Sequence, residues 1–202
     1  MTVIYKENGL YTSGRSQLQG TTYTNWGYDL TSFTETSLNF RVNWKPKTNR
    51  SSMYIRCYVT SDFSSELWYF RNNRTNFYYT NTDTGETFAG NNYMYVTRFF
   101  ATANTSTPHH CLDLTLHNYA RDGKLWPSFH AQHDYTYSNA DNSTSLIAMT
   151  DFMSGTLFLS PFSEYTSSDT NTVGRIQFFL TNSASFEEFD VQVYQDGGLL
   201  HG

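Results

Sequence analysis

The strongest signal along the chain is alternation of apolar and polar residues with a period of two. In residues 37–44, SLNFRVNW, the side chains of Leu38, Phe40, Val42 and Trp44 fall on one side, and Asn39, Arg41 and Asn43 fall on the other. In residues 52–59, SMYIRCYV, Met53, Ile55, Cys57 and Val59 alternate with Tyr54, Arg56 and Tyr58. Successive side chains of an extended chain point to opposite faces, so this pattern predicts half-buried strands. Further strands are predicted at 65–70, 75–80, 92–100, 110–119, 124–132, 155–160, 174–181 and 189–195. The predicted core is Leu38, Phe40, Val42, Ile55, Leu112, Leu114, Leu116, Ile176, Phe178, Val191 and Val193. Only residues 143–155, STSLIAMTDFMSG, read as a helix, and a short one.

Eight to ten strands separated by turn signals predict an all-β fold, an antiparallel β-sandwich of jelly-roll type. The sandwich is expected over residues 31–195, with 196–202 as a C-terminal tail. Residues 1–30 are polar and lack sustained periodicity, and they read as a docking arm carrying Tyr5, Tyr11, Tyr23 and Trp26. The alternative for this segment is a strand or two tucked against the domain.

Composition sharpens the picture. Tyr, Phe and Trp number 16, 16 and 4, against 26 residues of Leu, Ile and Val combined. A chain so rich in aromatics and Thr favours strands over helices. The net charge of −5 argues against nucleic acid as the main partner, because phosphate binding needs a basic surface. The first twenty residues hold no apolar stretch of signal-peptide length, and no run reaches the length of a membrane helix. The expectation is a soluble chain made inside a cell, with no membrane insertion. Cys57 and Cys111 are too few for a disulfide scaffold and are expected as buried free thiols.

The stretch of 111–134, CLDLTLHNYARDGKLWPSFHAQHD, holds three histidines, His117, His130 and His133, with His109 and His110 just upstream. On a strand, the odd spacing of His130 and His133 sends them to opposite faces, as adjacency does for His109 and His110. No metal and no cofactor is therefore expected. Cys111, Asp113 and His117 lie on one flat strand face, too far apart for a nucleophile and its base. Arg121-Asp122-Gly123 reads as the turn between two strands of this stretch, Asp83-Thr84-Gly85 as a β-turn, and Glu187-Glu188 as a solvated turn before the last strand. The sequons at Asn49, Asn73, Asn104 and Asn142 are matches that a chain rich in Asn, Ser and Thr supplies by chance. No catalytic residues are assigned, and the chain is expected not to be an enzyme.

Aromatic residues remain as candidates for binding. Trp68, Tyr69, Phe77, Tyr78, Tyr79, Tyr93 and Tyr95 load both faces of consecutive predicted strands. Rings beyond the needs of one core suit interfaces or stacking on sugars; the alternative is an aromatic-rich core whose tyrosine hydroxyls reach water.

Taken in order, the early pair LNFRVNW and MYIRCYV, the middle segment LDLTLHNYARDGKLWPSFHAQ and the closing GRIQFFLTNSASFEEFDVQVYQDGG resemble the small jelly-roll surface proteins on virions of tailed bacteriophages, cyanophage-like ones especially. The resemblance covers roughly residues 30–195. In that family the last strand commonly ends in a Tyr-Gly-like signature, whereas here Gln195 and Asp196 separate Tyr194 from Gly197. The resemblance implies a structural or attachment role: a capsid decoration (cement) protein or a small surface or fibre knob at the virion surface. The implied partners are other virion proteins of the capsid shell or tail, and further copies of the chain, a homotrimer by preference. The other functional class is a carbohydrate-binding module that recognises glycans on the host surface.

Overall fold

In the computed structural model, the first strand pairs with the last, the second with the last but one, and so on inward. The structure describes residues 2–8, 25–30, 37–46, 53–59, 67–77, 82–96, 109–119, 126–138, 146–158, 172–180 and 186–195. Among these are twelve strands and no helix: β1 Thr2–Asn8, β2 Asn25–Asp29, β3 Ser37–Pro46, β4 Met53–Tyr58, β5 Tyr69–Phe77, β6 Thr82–Asn91, β7 Met94–Tyr95, β8 His110–His117, β9 Ser128–Ser138, β10 Leu146–Phe158, β11 Arg175–Leu180 and β12 Phe186–Gln195. The nested antiparallel pairs are β1 with β12, β2 with β11, β3 with β8 and β4 with β7. Two further pairings, β3 with β12 and β4 with β11, close the roll. This is a long ribbon rolled into two sheets, the jelly-roll solution to the exposed-edge problem. Two extra antiparallel pairs are inserted, β5–β6 between β4 and β7, and β9–β10 between β8 and β11. They join each other through β10 and β5, so the large sheet runs β1-β12-β3-β8-β9-β10-β5-β6 and the small one β2-β11-β4-β7.

The two sheets pack through aromatic side chains. Trp26 on β2 reaches Phe189 on β12, with centroids 5.8 Å apart, and Phe40 on β3 reaches Phe178 on β11 at 5.9 Å. All eleven residues predicted for the core are buried. The buried layer continues under the inserted strands, where Phe70 and Phe129 meet edge to face at 5.7 Å and Trp68 meets Trp126 at 6.4 Å. At the end of β8, Asn118 takes φ 52°, a left-handed turn conformation that Asn tolerates better than most residues.

Several local expectations are corrected. Residues 146–158 form a strand, not the helix read over 143–155, because β10 is hydrogen-bonded along both edges, to β9 and to β5. Such tertiary pairing outweighs local propensity. The predicted strands at 65–70 and 75–80 merge into β5 through the polar Arg71–Arg74 stretch. Asp83-Thr84-Gly85 is not a turn but part of β6. There Arg74 opposes Glu86 and Thr75 opposes Thr84, leaving Gly85 as the extra residue of a bulge. Glu187 and Glu188 likewise lie within β12, at a bulge between Phe186 and Glu188, with Lys45 3.1 Å from Glu187. Arg121-Asp122-Gly123 falls outside the described residues, as do Asn49, Asn104 and Asn142.

The docking arm expected over 1–30 is also revised. Its described parts, β1 and β2, are strands of the two sheets, and Trp26 is a core residue 5% exposed. A β2 ring stacked on Tyr28 and packed on Phe178 and Phe189 is held by the sandwich, so it is not available to dock elsewhere. The backbone of Tyr5 pairs with Val193, while Tyr11 and Tyr23 lie outside the described residues.

One prediction tests the core assignment. Leu114 is buried between Phe40 on β3 and Ala131 on β9. Leu114→Ala should destabilise the protein by about 2–5 kcal/mol, measured by urea unfolding, whereas Thr115→Ala, one residue along, should cost far less.

Candidate functional site

The outward face of the large sheet is built from the polar half of each alternation. A row of directly opposed residues crosses it: Gln192 on β12, Arg41 on β3, Asp113 on β8, Gln132 on β9 and Phe152 on β10. The neighbouring row is Asn39, Thr115, His130 and Ser154. Side-chain hydrogen bonds run within and beside these rows. Arg41 Nε and Nη2 donate to Asp113 Oδ1 and Oδ2 at 2.7 and 3.1 Å, a two-point grip on the carboxylate. Thr115 donates to Asn39, and Gln132 Nε2 donates to Asp134 at 2.9 Å. Thr150 donates to the other oxygen of Asp134 at 2.6 Å. His117 Nε2 and His130 Nδ1 lie 2.9 Å apart and share a proton as an N–H···N pair.

Within this face lies a shallow groove of about 320 Å³, lined by Asp113, Thr115, His130, Gln132, Phe152 and Ser154, with Ala131 and Met153 at its floor. Phe152 is 45% exposed, the one large hydrophobic side chain so exposed among the described residues. Its neighbour in sequence, Asp151, is fully buried. β10 thus inverts the usual polarity at one step, with the acid inside and the ring outside.

Inside, Asp151 stands opposite His133, with His133 Nδ1 3.5 Å from its Oδ2. His133 Nε2 lies 3.1 Å from His110 Nδ1. Trp44 stacks on His110 at 4.7 Å, and Tyr135 stacks on His133 at 4.6 Å. Which of the two imidazoles donates in the His110–His133 hydrogen bond depends on the tautomer, and His133 Nδ1 approaches Asp151 without a hydrogen bond. Burial, then the charges His133 and His109 would carry, push His110 well below its ordinary value of 6.5. The row has the components of a proton relay, but His133 and Asp151 have no exposed surface where a substrate would meet them. It is a structural element of the interior.

Both parities argued for the histidines hold. His110 and His133 are buried, and His109 and His130 are exposed. The register nevertheless brings histidines together in two pairs, one per face, which spacing within each strand does not reveal. Among the described residues, no group of three or more His, Cys, Asp or Glu is placed to hold a metal. Cys57 is buried in the small sheet and Cys111 is half-buried on the outward face of the large one, both as free thiols. Burial pushes both thiols upward, and Asp113 adds to the rise at Cys111, so neither favours the nucleophilic thiolate.

The candidate aromatics scatter. Trp68 is fully buried with its backbone N–H bonded to Cys57, so it is a core residue and not a surface for partners or sugars. Tyr69 and Tyr95 are placed in β5 and β7, and Tyr78 and Tyr79 lie outside the described residues. Tyr93 is half-buried, edge-on to Tyr54 at 5.0 Å. Tyr54 stacks on Phe179 at 5.4 Å, and the Arg56 guanidinium sits 4.4 Å over the Phe179 ring. These four residues make an aromatic and cationic patch on the small sheet. Phe152 was not among the candidates. The signal for it is the run Asp151 to Thr156, which alternates but with a ring on its polar side.

No protein-family model and no curated protein matches the chain. The function therefore rests on the geometry and on general chemistry.

The buried histidine row makes a pH prediction. His110 is held neutral in the fold but binds a proton near pH 6.5 once unfolded. The unfolded state then takes up more protons below that pH, so stability is full above it and falls as the pH drops. The loss should approach about 1.4 kcal/mol per pH unit. Urea midpoints compared between pH 7.5 and 5 should fall for the native chain and fall less for His110→Gln.

Proposed function

We propose that this protein is a non-enzymatic surface protein of a tailed-phage virion, a capsid decoration protein or small fibre knob. The observation that carries the reading is the nested pairing of β1 with β12, β2 with β11, β3 with β8 and β4 with β7. That topology recurs in viral shell proteins and in lectins, and it agrees with the family that the sequence resembles. A shared fold does not by itself carry a function. The chemistry adds support: the buried Asp151–His133–His110 row is sealed from solvent, and both thiols are held protonated.

The partners in this reading are shell or tail proteins and further copies of the chain. The patch of Tyr54, Tyr93, Phe179 and Arg56 suits self-association, because aromatic residues and Arg are enriched at interfaces. A trimer is preferred by analogy with phage surface jelly rolls. A second reading, recognition of host surface glycans, is favoured by one specific observation, the exposed Phe152 within a polar groove.

Sedimentation of purified virions, followed by a blot for this protein, tests the proposal. Co-sedimentation at a fixed number of copies per particle is expected; absence from particles that are otherwise complete would overturn it. Light scattering on the pure protein should report a trimer, and Tyr54→Ala together with Phe179→Ala should shift it toward monomer.

A further inference from the structure

We infer that the groove around Phe152 is a carbohydrate site for a neutral hexose unit of a longer glycan. The inference deepens the glycan reading above and takes from it that the protein binds its ligand without cleaving it.

The groove combines the two things that a sugar ring presents to water. A pyranose has an apolar C–H face and a rim of hydroxyls. Phe152 brings an apolar aromatic side chain that is 45% exposed. Around it stand Asp113, Thr115, His130, Gln132 and Ser154. These supply a carboxylate that only accepts, hydroxyls and an amide that donate and accept, and an imidazole that does either. A hydroxyl of a sugar is both donor and acceptor, so such a mixed rim can satisfy it. Phe152, Gln132 and Asp113 lie in one cross-strand row. Strands stand about 4.8 Å apart, so a ring stacked on Phe152 lies beside Gln132 with its rim directed toward Asp113.

The size and charge of the groove select among ligands. At about 320 Å³ it lies at the lower end of small-ligand pockets. A protein interface would instead call for a broad core depleted of charge. Arg41 and Asp113 neutralise each other as a two-point pair, so Asp134 leaves a net negative charge on the described side chains of this side. An acidic sugar would bring its carboxylate against like charge, and so would a nucleic acid phosphate. A neutral sugar meets no such penalty. The rim is also set before the ligand arrives, because Arg41 fixes Asp113, Asp134 orients Gln132, and His117 orients His130. Ordering cost on binding is correspondingly small.

The test is an array of neutral gluco-, galacto- and manno-configured oligosaccharides, with sialylated and uronate-bearing oligosaccharides as a second arm, probed with the full chain. Binding to neutral members is expected, followed by calorimetry on the best of them. Phe152→Ala should weaken it at least tenfold and Gln132→Ala measurably, while Phe152→Trp should retain it. Phe152 is exposed, so unfolding midpoints of these variants should stay near the native value, separating lost binding from lost folding. No neutral binding, binding confined to the acidic arm, or unchanged affinity in Phe152→Ala would each overturn the site. The virion reading is scored separately by particle blots of Phe152→Ala. Loss of the variant from particles would make the groove a virion contact and overturn the sugar site alone. Native chain that binds sugar yet is absent from virions would overturn the virion reading alone.

Discussion

The register of β10 against β9 and β5 decides both faces of the large sheet. Side chains of a strand alternate with a period of two, so a slip of one residue exchanges its faces completely. In the observed register Asp151, Met153 and Leu157 point inward, while Phe152, Ser154 and Thr156 point outward. A slip would bring Phe152 inside but expel Met153 and Leu157, each worth roughly 1.5–3 kcal/mol of burial. It would also bury the hydroxyls of Ser154 and Thr156, which cost free energy unless they find partners. The observed frame therefore wins even though it buries an acid and exposes a ring.

That frame explains the buried histidines. With Asp151 inside, something must meet its carboxylate, and His133 stands directly opposite on β9. His110 meets His133 in turn, and Trp44 and Tyr135 cover the pair with flat rings. A slipped β10 would set Phe152 or Thr150 against His133 and strand the imidazole. The polar row thus favours the same register that Met153 and Leu157 favour, and it adds selectivity more than net stability.

The parts of this fold that were legible in the sequence are those where one strand carries its own answer. β3 and β8 alternate cleanly, and every residue assigned to the core from them is buried. β10 was not legible because Leu146, Ile147, Ala148, Met149, Phe152 and Met153 populate a helical face as readily as a strand. What makes it a strand is pairing with β5, distant in sequence. Trp26 and Trp68 misled for a related reason. A Trp in a weakly patterned segment carries no mark of its face, and both are placed by partners distant in sequence, Phe189 and Trp126. The site was hidden for the same cause. Asp113 was correctly placed facing away from the core, but its neighbours Arg41, Gln132 and Phe152 are assembled by three separate strand registers.

The position of the groove within the topology gives it a particular freedom. Arg41, Asp113 and Thr115 belong to β3 and β8, strands of the rolled ribbon, whereas His130, Gln132, Phe152 and Ser154 belong to the inserted β9–β10 pair. The groove straddles the seam between them. The roll supplies rigidity, since β3 is hydrogen-bonded on both edges, to β12 and β8. The insertion supplies the ring and most of the rim, on positions whose side chains point away from the core. Substitutions there leave Ala131, His133, Met153 and Leu157 in place beneath them. A surface so arranged can change what it recognises without disturbing the register that holds it, because the residues that fix the frame and the residues that face the ligand alternate along the same two strands.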